Sequence, residues 1–132
     1  EKMSKSRDNT INIFLTDKKL RKQIMSISTD SKQMEDIKDP DTCTIFALYR
    51  IMASDEQQKE MRAKYAAGGY GYGHAKQALF ELIIDKFSVT REKYAHLMEH
   101  PNEVETALLI GQQKARKVAS GVLKRVRANL GY

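Results

Sequence analysis

PNEVETALLIGQQKARKVASGVLKRVRANL, residues 101–130, is the stretch that decides the fold. Val104, Leu108, Gly111, Ala115, Val118, Val122 and Val126 recur every three or four positions, the spacing of one face of an α-helix. Pro101 suits the first turn of that helix, where a missing N–H costs nothing. Gly111, Ala115 and Ala119 are small enough to admit a neighbouring helix closely. Away from this seam, Lys114, Lys117, Lys124 and Arg125 fall within an arc of roughly 100°, and Arg116 and Arg127 share the other flank.

Working back along the chain, Leu79, Leu82, Ile83 and Phe87 form a second helical stripe, which extends through Tyr94 and Leu97. Before it, Tyr70-Gly71-Tyr72-Gly73 reads as a flexible turn, with Tyr70 and Tyr72 expected to pack over it rather than stack on bases. Gly68-Gly69 closes the preceding helix, which opens on the capping box Ser54-Asp55-Glu56-Gln57 and turns Met61 and Tyr65 inward. A helix capped by Asp41 or Thr42 runs through Ala53. It is apolar on several sides (Cys43, Ile45, Phe46, Leu48, Ile51, Met52) and belongs at the centre of a bundle. The polar run from Ser28 to Pro40 is a surface connection. Thr16 or Asp17 caps a short helix marked by Leu20, Ile24 and Ile27. Residues 1–16 read as loop, and only Ile11–Phe14 alternates in the manner of a strand. The expected architecture is all-α, a bundle of about five or six helices preceded by a loop.

At 132 residues the chain holds one domain with a core and not two full ones. It opens at Glu1 on a charged loop, as expected of a segment cut from a longer chain. No apolar run approaches a membrane span, and these residues show no basic-apolar-small pattern of the secretory kind. Cys43 is the only cysteine, which excludes an intramolecular disulfide and fits a reduced, cytoplasmic protein. The net charge of +6 is uneven. From Gly111 onward there is no acidic residue, and Lys114, Arg116, Lys117, Lys124, Arg125 and Arg127 together carry it. A second basic excess lies in residues 1–22. Two basic regions around a balanced middle suit a polyanionic partner, although charge alone fits a solvated helix face equally well.

Lys2-Met3-Ser4-Lys5-Ser6 carries the chemistry. Two ammonium groups three residues apart, with hydroxyls between and after, suit a loop that grips a polyphosphate. Such a grip lowers a barrier most when charge moves onto a departing pyrophosphate. The bland alternative for so short a motif is a disordered basic terminus.

The wider sequence decides between them. KMSKSRDNTINI (residues 2–13), KQIMSISTDS (22–31), KDPDTC (38–43) leading into FALY (46–49), GGYGYG (68–73) with Lys76, and GQQKARKVA (111–119) through VRANLG (126–131) occur in order. Together they resemble the C-terminal part of bacterial tryptophanyl-tRNA synthetases, class I enzymes whose signature loop is this pentapeptide. Gln112 departs from the family pattern, where alanine is expected, and touches packing only.

The resemblance implies a division into a signature loop and link at 1–16, following a Rossmann catalytic domain, and a helical anticodon-binding domain at 17–132. It implies ATP-dependent activation of L-tryptophan to tryptophanyl-adenylate and transfer to tRNA(Trp), in a homodimer that uses Mg²⁺ with ATP. Lys2, Met3, Ser4, Lys5 and Ser6 would bind ATP, with Lys2 and Lys5 catalytic and Lys5 the principal phosphate contact. Lys114, Lys117, Lys124 and Arg125 are the candidate tRNA-binding residues. The 132-residue chain alone is expected to be inactive, because nothing in it binds the adenosine ring or the amino acid. A tyrosyl-tRNA synthetase is the nearest rival, and a non-catalytic basic helical RNA-binding module is the alternative outside catalysis.

Two other motifs are set aside. His96-Leu97-Met98-Glu99-His100 has the form of an inverted zinc-peptidase motif. Pro101 is expected to place His100 at a helix boundary instead of one turn above His96, so no bound metal is expected. The glycines at 69, 71 and 73 lack the spacing and the preceding strand of a dinucleotide loop.

Overall fold

The computed structural model describes residues 3–7 and 9–132, Lys5 through its backbone. Among the described residues a 3₁₀ turn at Lys5–Arg7 is followed by six α-helices. They are α1 (Asp17–Met25), α2 (Thr44–Arg50), α3 (Asp55–Ala67), α4 (Tyr72–Lys86), α5 (Ser88–Glu99) and α6 (Pro101–Leu130). No strand occurs among the described residues, so the expected all-α class is what the chain adopts. Ile11–Phe14 is irregular chain and turn. No helix among the described residues is long and apolar enough to cross a membrane.

The chain forms two compact units, Glu1–Arg91 and Glu92–Tyr132. In the first, α1 and α2 both pack on α4. Leu20 and Ile24 come from α1, Ile45 and Phe46 from α2, Met61 and Tyr65 from α3, and Ala75, Leu79 and Ile83 from α4; all are buried. Removing each large apolar side chain from water stabilises this unit by about 1.5–3 kcal/mol. Spacing of four residues within α1 (Leu20, Ile24), α3 (Met61, Tyr65) and α4 (Ala75, Leu79, Ile83) puts each set on one face. Tyr65 sits at the centre, its ring 6.1 Å from Phe46, 6.0 Å from Tyr70 and 6.4 Å from Tyr72. Both glycine-turn tyrosines thus pack on the core instead of only over the turn.

α3 opens on the expected capping box. The Gln57 N–H donates to Ser54 Oγ at 3.3 Å, and the Ser54 N–H donates to Gln57 Oε1 at 2.8 Å. It closes at Gly68, whose φ of +74° favours glycine. A Cβ there would also meet the Glu35 carbonyl oxygen at 2.6 Å, so the turn is wedged against the 28–40 connection.

Several expected boundaries move. Neither Asp41 nor Thr42 caps α2. The Asp41 carboxylate pairs with Arg62 at 2.7 Å, and the Thr42 hydroxyl donates to Asp39 Oδ2 at 3.1 Å. Those bonds hold both side chains toward Arg62 and Asp39, and Cys43 takes the cap position in an extended conformation with the helix starting at Thr44. It stops at Arg50, leaving Ile51 75% exposed instead of in the core. Tyr72 and Gly73 belong to α4, with Gly71 as its cap, so the aromatic turn is shorter than expected. The stripe from Leu79 does not run on through Tyr94 and Leu97 as one helix. It breaks at Phe87 (φ −106°, ψ 12°), and α5 starts afresh at Ser88.

The connection from Ser28 to Pro40 contains a buried cation. Lys38 is 2% exposed, and its Nζ donates to the carbonyls of Gln33, Met34 and Asp36 at 2.7, 3.2 and 3.0 Å. Its backbone N–H donates to Tyr65 O at 3.0 Å, and its ammonium lies 5.3 Å from the Tyr72 ring centre. The Asp30 carboxylate accepts from the Tyr72 hydroxyl, a bond that holds the carboxyl below its ordinary range.

In the second unit, Pro101 occupies the first turn of α6 as expected, and Gly131 closes the helix at φ +81°. Every residue of α6 is exposed, its apolar seam included.

Candidate phosphate loop and its fastening

Residues 3–7 form a tight turn held by the Ser4 and Ser6 hydroxyls and by the nearby Asn9. The Ser4 N–H donates to Asn9 Oδ1 at 2.7 Å, Ser4 and Ser6 hydroxyls share a 2.8 Å hydrogen bond, and the Arg7 N–H donates to Ser4 O at 3.1 Å. An asparagine side chain bonding to nearby backbone is a standard turn device. Met3 and Ser6 are exposed, and Ser4 is partly buried. Lys2 lies outside the described residues, as does the Lys5 side chain. The structure therefore places Met3, Ser4 and Ser6 together with the Lys5 backbone in one turn.

The segment leaving the loop, residues 10–17, is fastened to the helices at two points. Gln23 on α1 offers both halves of its amide to residues 10–12. Its Nε2 donates to Thr10 O at 2.6 Å, and its Oε1 accepts from the Asn12 N–H at 3.0 Å. Arg91, at the start of α5, grips the chain from Ile13 to Asp17. Its guanidinium donates to the carbonyls of Ile13 and of Leu15 (3.0 Å), and pairs with Asp17 Oδ1 at 2.5 Å. The Arg91 side chain is 17% exposed and that of Asp17 69%, so the bonds to the two carbonyls are the shielded ones and the ion pair faces water. Lys76 on α4 donates to Met25 O at 3.0 Å, satisfying a carbonyl at the C-terminal end of α1.

Between the loop and α1 and α2 lies a cleft of about 540 Å³, lined by Met3, Asn9, Ile11, Gln23, Ser28 and Leu48 among others. Its floor is mixed, with amide and hydroxyl groups beside apolar ones. Asn9, Gln23 and Arg91 do not stand out in the sequence. The turn-forming habit of asparagine signals the first, while the other two act across 11 to 78 residues and leave no local trace.

The second candidate feature is the α6 stripe. Lys114, Lys117, Lys124 and Arg125 all lie on this one helix and are all exposed. From Lys114 to Arg125 the rise is roughly 16 Å. No acidic residue follows Glu105, so the stripe faces no carboxylate from its own stretch of helix.

Comparison with known proteins decides the family. The sequence model described as "tRNA synthetases class I (W and Y)" matches residues 1–88. The chain belongs to the class I tRNA synthetases of the W and Y type. A tryptophan–tRNA ligase of Campylobacter jejuni is 44% identical over 130 residues, 98% of this chain and 41% of that relative. One from Rhodopirellula baltica is 44% identical over 131 residues, 99% of this chain and 41% of its own. The crystal structure of Campylobacter jejuni tryptophanyl-tRNA synthetase complexed with ADP and tryptophan superposes with a TM-score of 0.95. It is 44% identical to this chain, over 99% of it and 41% of that chain. The chain thus spans about two fifths of the length of these class I synthetases. The family match ends at residue 88, whereas the similarity to the tryptophan ligases continues through α6.

Proposed function

We propose that the protein carrying this chain is a tryptophan–tRNA ligase, activating L-tryptophan with ATP and passing the tryptophanyl group to tRNA(Trp). The observation that supports this reading is the 44% identity to tryptophan ligases across 98–99% of the chain, α6 included, beyond the stretch that the tryptophan and tyrosine enzymes share in one family model. In this reading residues 1–16 are the signature loop and its link, and residues 17–132 are the helical tRNA-binding domain. Lys2, Met3, Ser4, Lys5 and Ser6 bind ATP, with Lys2 and Lys5 meeting its phosphates as catalytic cations. Residues 2–6 include no carboxylate, so Mg²⁺ accompanies ATP as its complex and is not held by this loop. Lys114, Lys117, Lys124 and Arg125 contact tRNA phosphates. The enzyme works as a homodimer in the cytoplasm, and the 132-residue chain alone is inactive.

The test is ATP–pyrophosphate exchange by the full-length protein. Tryptophan should support exchange and tyrosine should not; the reverse pattern assigns the chain to a tyrosine enzyme. Lys5→Ala should lower kcat for adenylate formation roughly a hundredfold while tryptophan affinity stays near that of the parent. A drop in tryptophan affinity alone would remove Lys5 from the phosphate role.

A further inference from the structure

The break between α5 and α6 gathers two imidazoles and a carboxylate that neither the phosphate loop nor the basic stripe uses. One ligand atom each from His96, His100 and Glu103 lies within 4.8 Å of the other two. The sequence pointed the other way, because Pro101 was expected to separate the histidines. The residue before a proline is pushed out of helical backbone, and His100 does leave the helix at φ −123°, ψ 64°. Its own N–H is untouched by that restriction and still donates to His96 O at 3.0 Å. The last turn of α5 therefore closes, and the two rings stack with centres 4.3 Å apart. The first turn of α6 then returns Glu103 to them, its N–H donating to His100 O at 3.1 Å.

Hydrogen bonding also orients the donors. His100 Nδ1 lies 2.8 Å from His96 O, a carbonyl that can only accept. In the neutral ring Nδ1 therefore carries the proton, and Nε2 keeps its lone pair. A backbone carbonyl on the second ring nitrogen is the usual support of a metal-ligating histidine. His96 Nε2 stands 3.0 Å from Glu103 Oε1, where a cation would take the place of the shared proton. All three residues are exposed, so an ion reaches them without opening the core.

We propose that His96, His100 and Glu103 bind a transition-metal dication of the zinc class, with water completing the shell. Imidazole donors favour such an ion over magnesium or calcium. Zinc bonds of about 2.0–2.2 Å place ligand atoms roughly 3.3 Å apart, a contraction that exposed side chains reach by small rotations. The bound ion ties α5 to α6 across the proline break.

The experiment uses the untagged full-length protein and Co²⁺, whose visible absorption reports imidazole coordination. One Co²⁺ should bind at these residues and be displaced by Zn²⁺. His96→Ala and His100→Ala should each weaken that binding at least about tenfold, and Glu103→Gln, which keeps the shape, should weaken it too. His74→Ala, which removes the third histidine of the chain, should leave it unchanged. Absence of a cobalt band at about 1 mM metal, or equal binding by the parent and the His96, His100 and Glu103 variants, overturns the proposal.

Discussion

α4 and α6 carry the same pattern, an apolar residue at every third or fourth position, and meet different surroundings. α4, 15 residues long, buries Ala75, Leu79, Leu82 and Ile83. α6, at 30 residues, buries none. Periodicity selects the face of a helix that is suited to contact; it carries no information on what supplies the contact. For α4 the partners are α1 and α2, within the same compact unit. The seam of α6 stays exposed in a chain that spans 41% of its relatives' length, and its other side carries charge that suits RNA. A helix of this length with no buried side chain depends on propensity and capping, which is where alanine, leucine, lysine and the left-handed Gly131 contribute.

The largest effect should come from deleting core atoms. Phe46→Ala and Leu79→Ala should each cost about 2–5 kcal/mol of unfolding free energy in the 132-residue chain, measured by urea denaturation. Val118→Ala, on a side chain 71% exposed, should cost less than about 0.5 kcal/mol. Equal losses would break the distinction between the two helices.

Lys38→Met should cost about 1–3 kcal/mol, because it leaves the carbonyls of Gln33, Met34 and Asp36 without their shared donor. An unchanged denaturation midpoint would mean that water replaces the ammonium at no cost.

A third probe is alkaline pH. Burial raises the Tyr65 phenol well above its ordinary 10.0, with its hydrogen bond to Cys43 adding to the rise. Burial also raises Tyr49, Tyr70 and Tyr72. Because the folded values are raised, their contribution is complete below pH 10 and is lost as the unfolded chain ionises above it. Stability of the first unit should fall from about pH 10 upward, by up to roughly 1.4 kcal/mol per pH unit for each phenol held protonated. Tyr65→Phe should flatten that fall, and an identical pH profile would contradict the buried assignment.

The smallest expected stability effect sharpens the reading of α6. Replacing Lys117 and Lys124 together with alanine should change stability by less than about 0.5 kcal/mol per site. In the full-length protein it should make the salt dependence of tRNA affinity shallower by about 0.7–0.9 per lost phosphate contact, with tryptophan adenylation near that of the parent. Superimposable salt curves would leave the stripe a solvated face.

The structural features legible in the sequence are mostly local. The capping box at Ser54 and Gln57, the proline start of α6 and the inward spacing of Leu20 and Ile24 involve residues within one or two turns of each other. The pentapeptide at 2–6 differs, because alone it also fits a basic terminus and its reading comes from the ordered segments that follow it through residue 131. Lys38 is not legible, because its cage needs Tyr65 as well as its own neighbours, and lysine in a polar run reads as surface. Asp41 and Thr42 look like caps until Arg62 and Asp39 claim their oxygens. Gln23 and Arg91 look like ordinary surface residues in sequence and reveal their role only when the chain brings the loop's exit beside them.

Arg91 also sets an order in time. The carbonyls it holds belong to Ile13 and Leu15, 78 and 76 residues earlier, and its carboxylate partner is Asp17, 74 residues earlier. A ribosome adding about 5–20 residues per second makes those acceptors roughly 4–15 s before their donor exists. The Ile13–Asp17 part of the link is therefore made early and is gripped by Arg91 only once the last residue of the first unit exists. Throughout that interval Gln23, made about a second after its own targets, is the earlier of the two fastenings able to form.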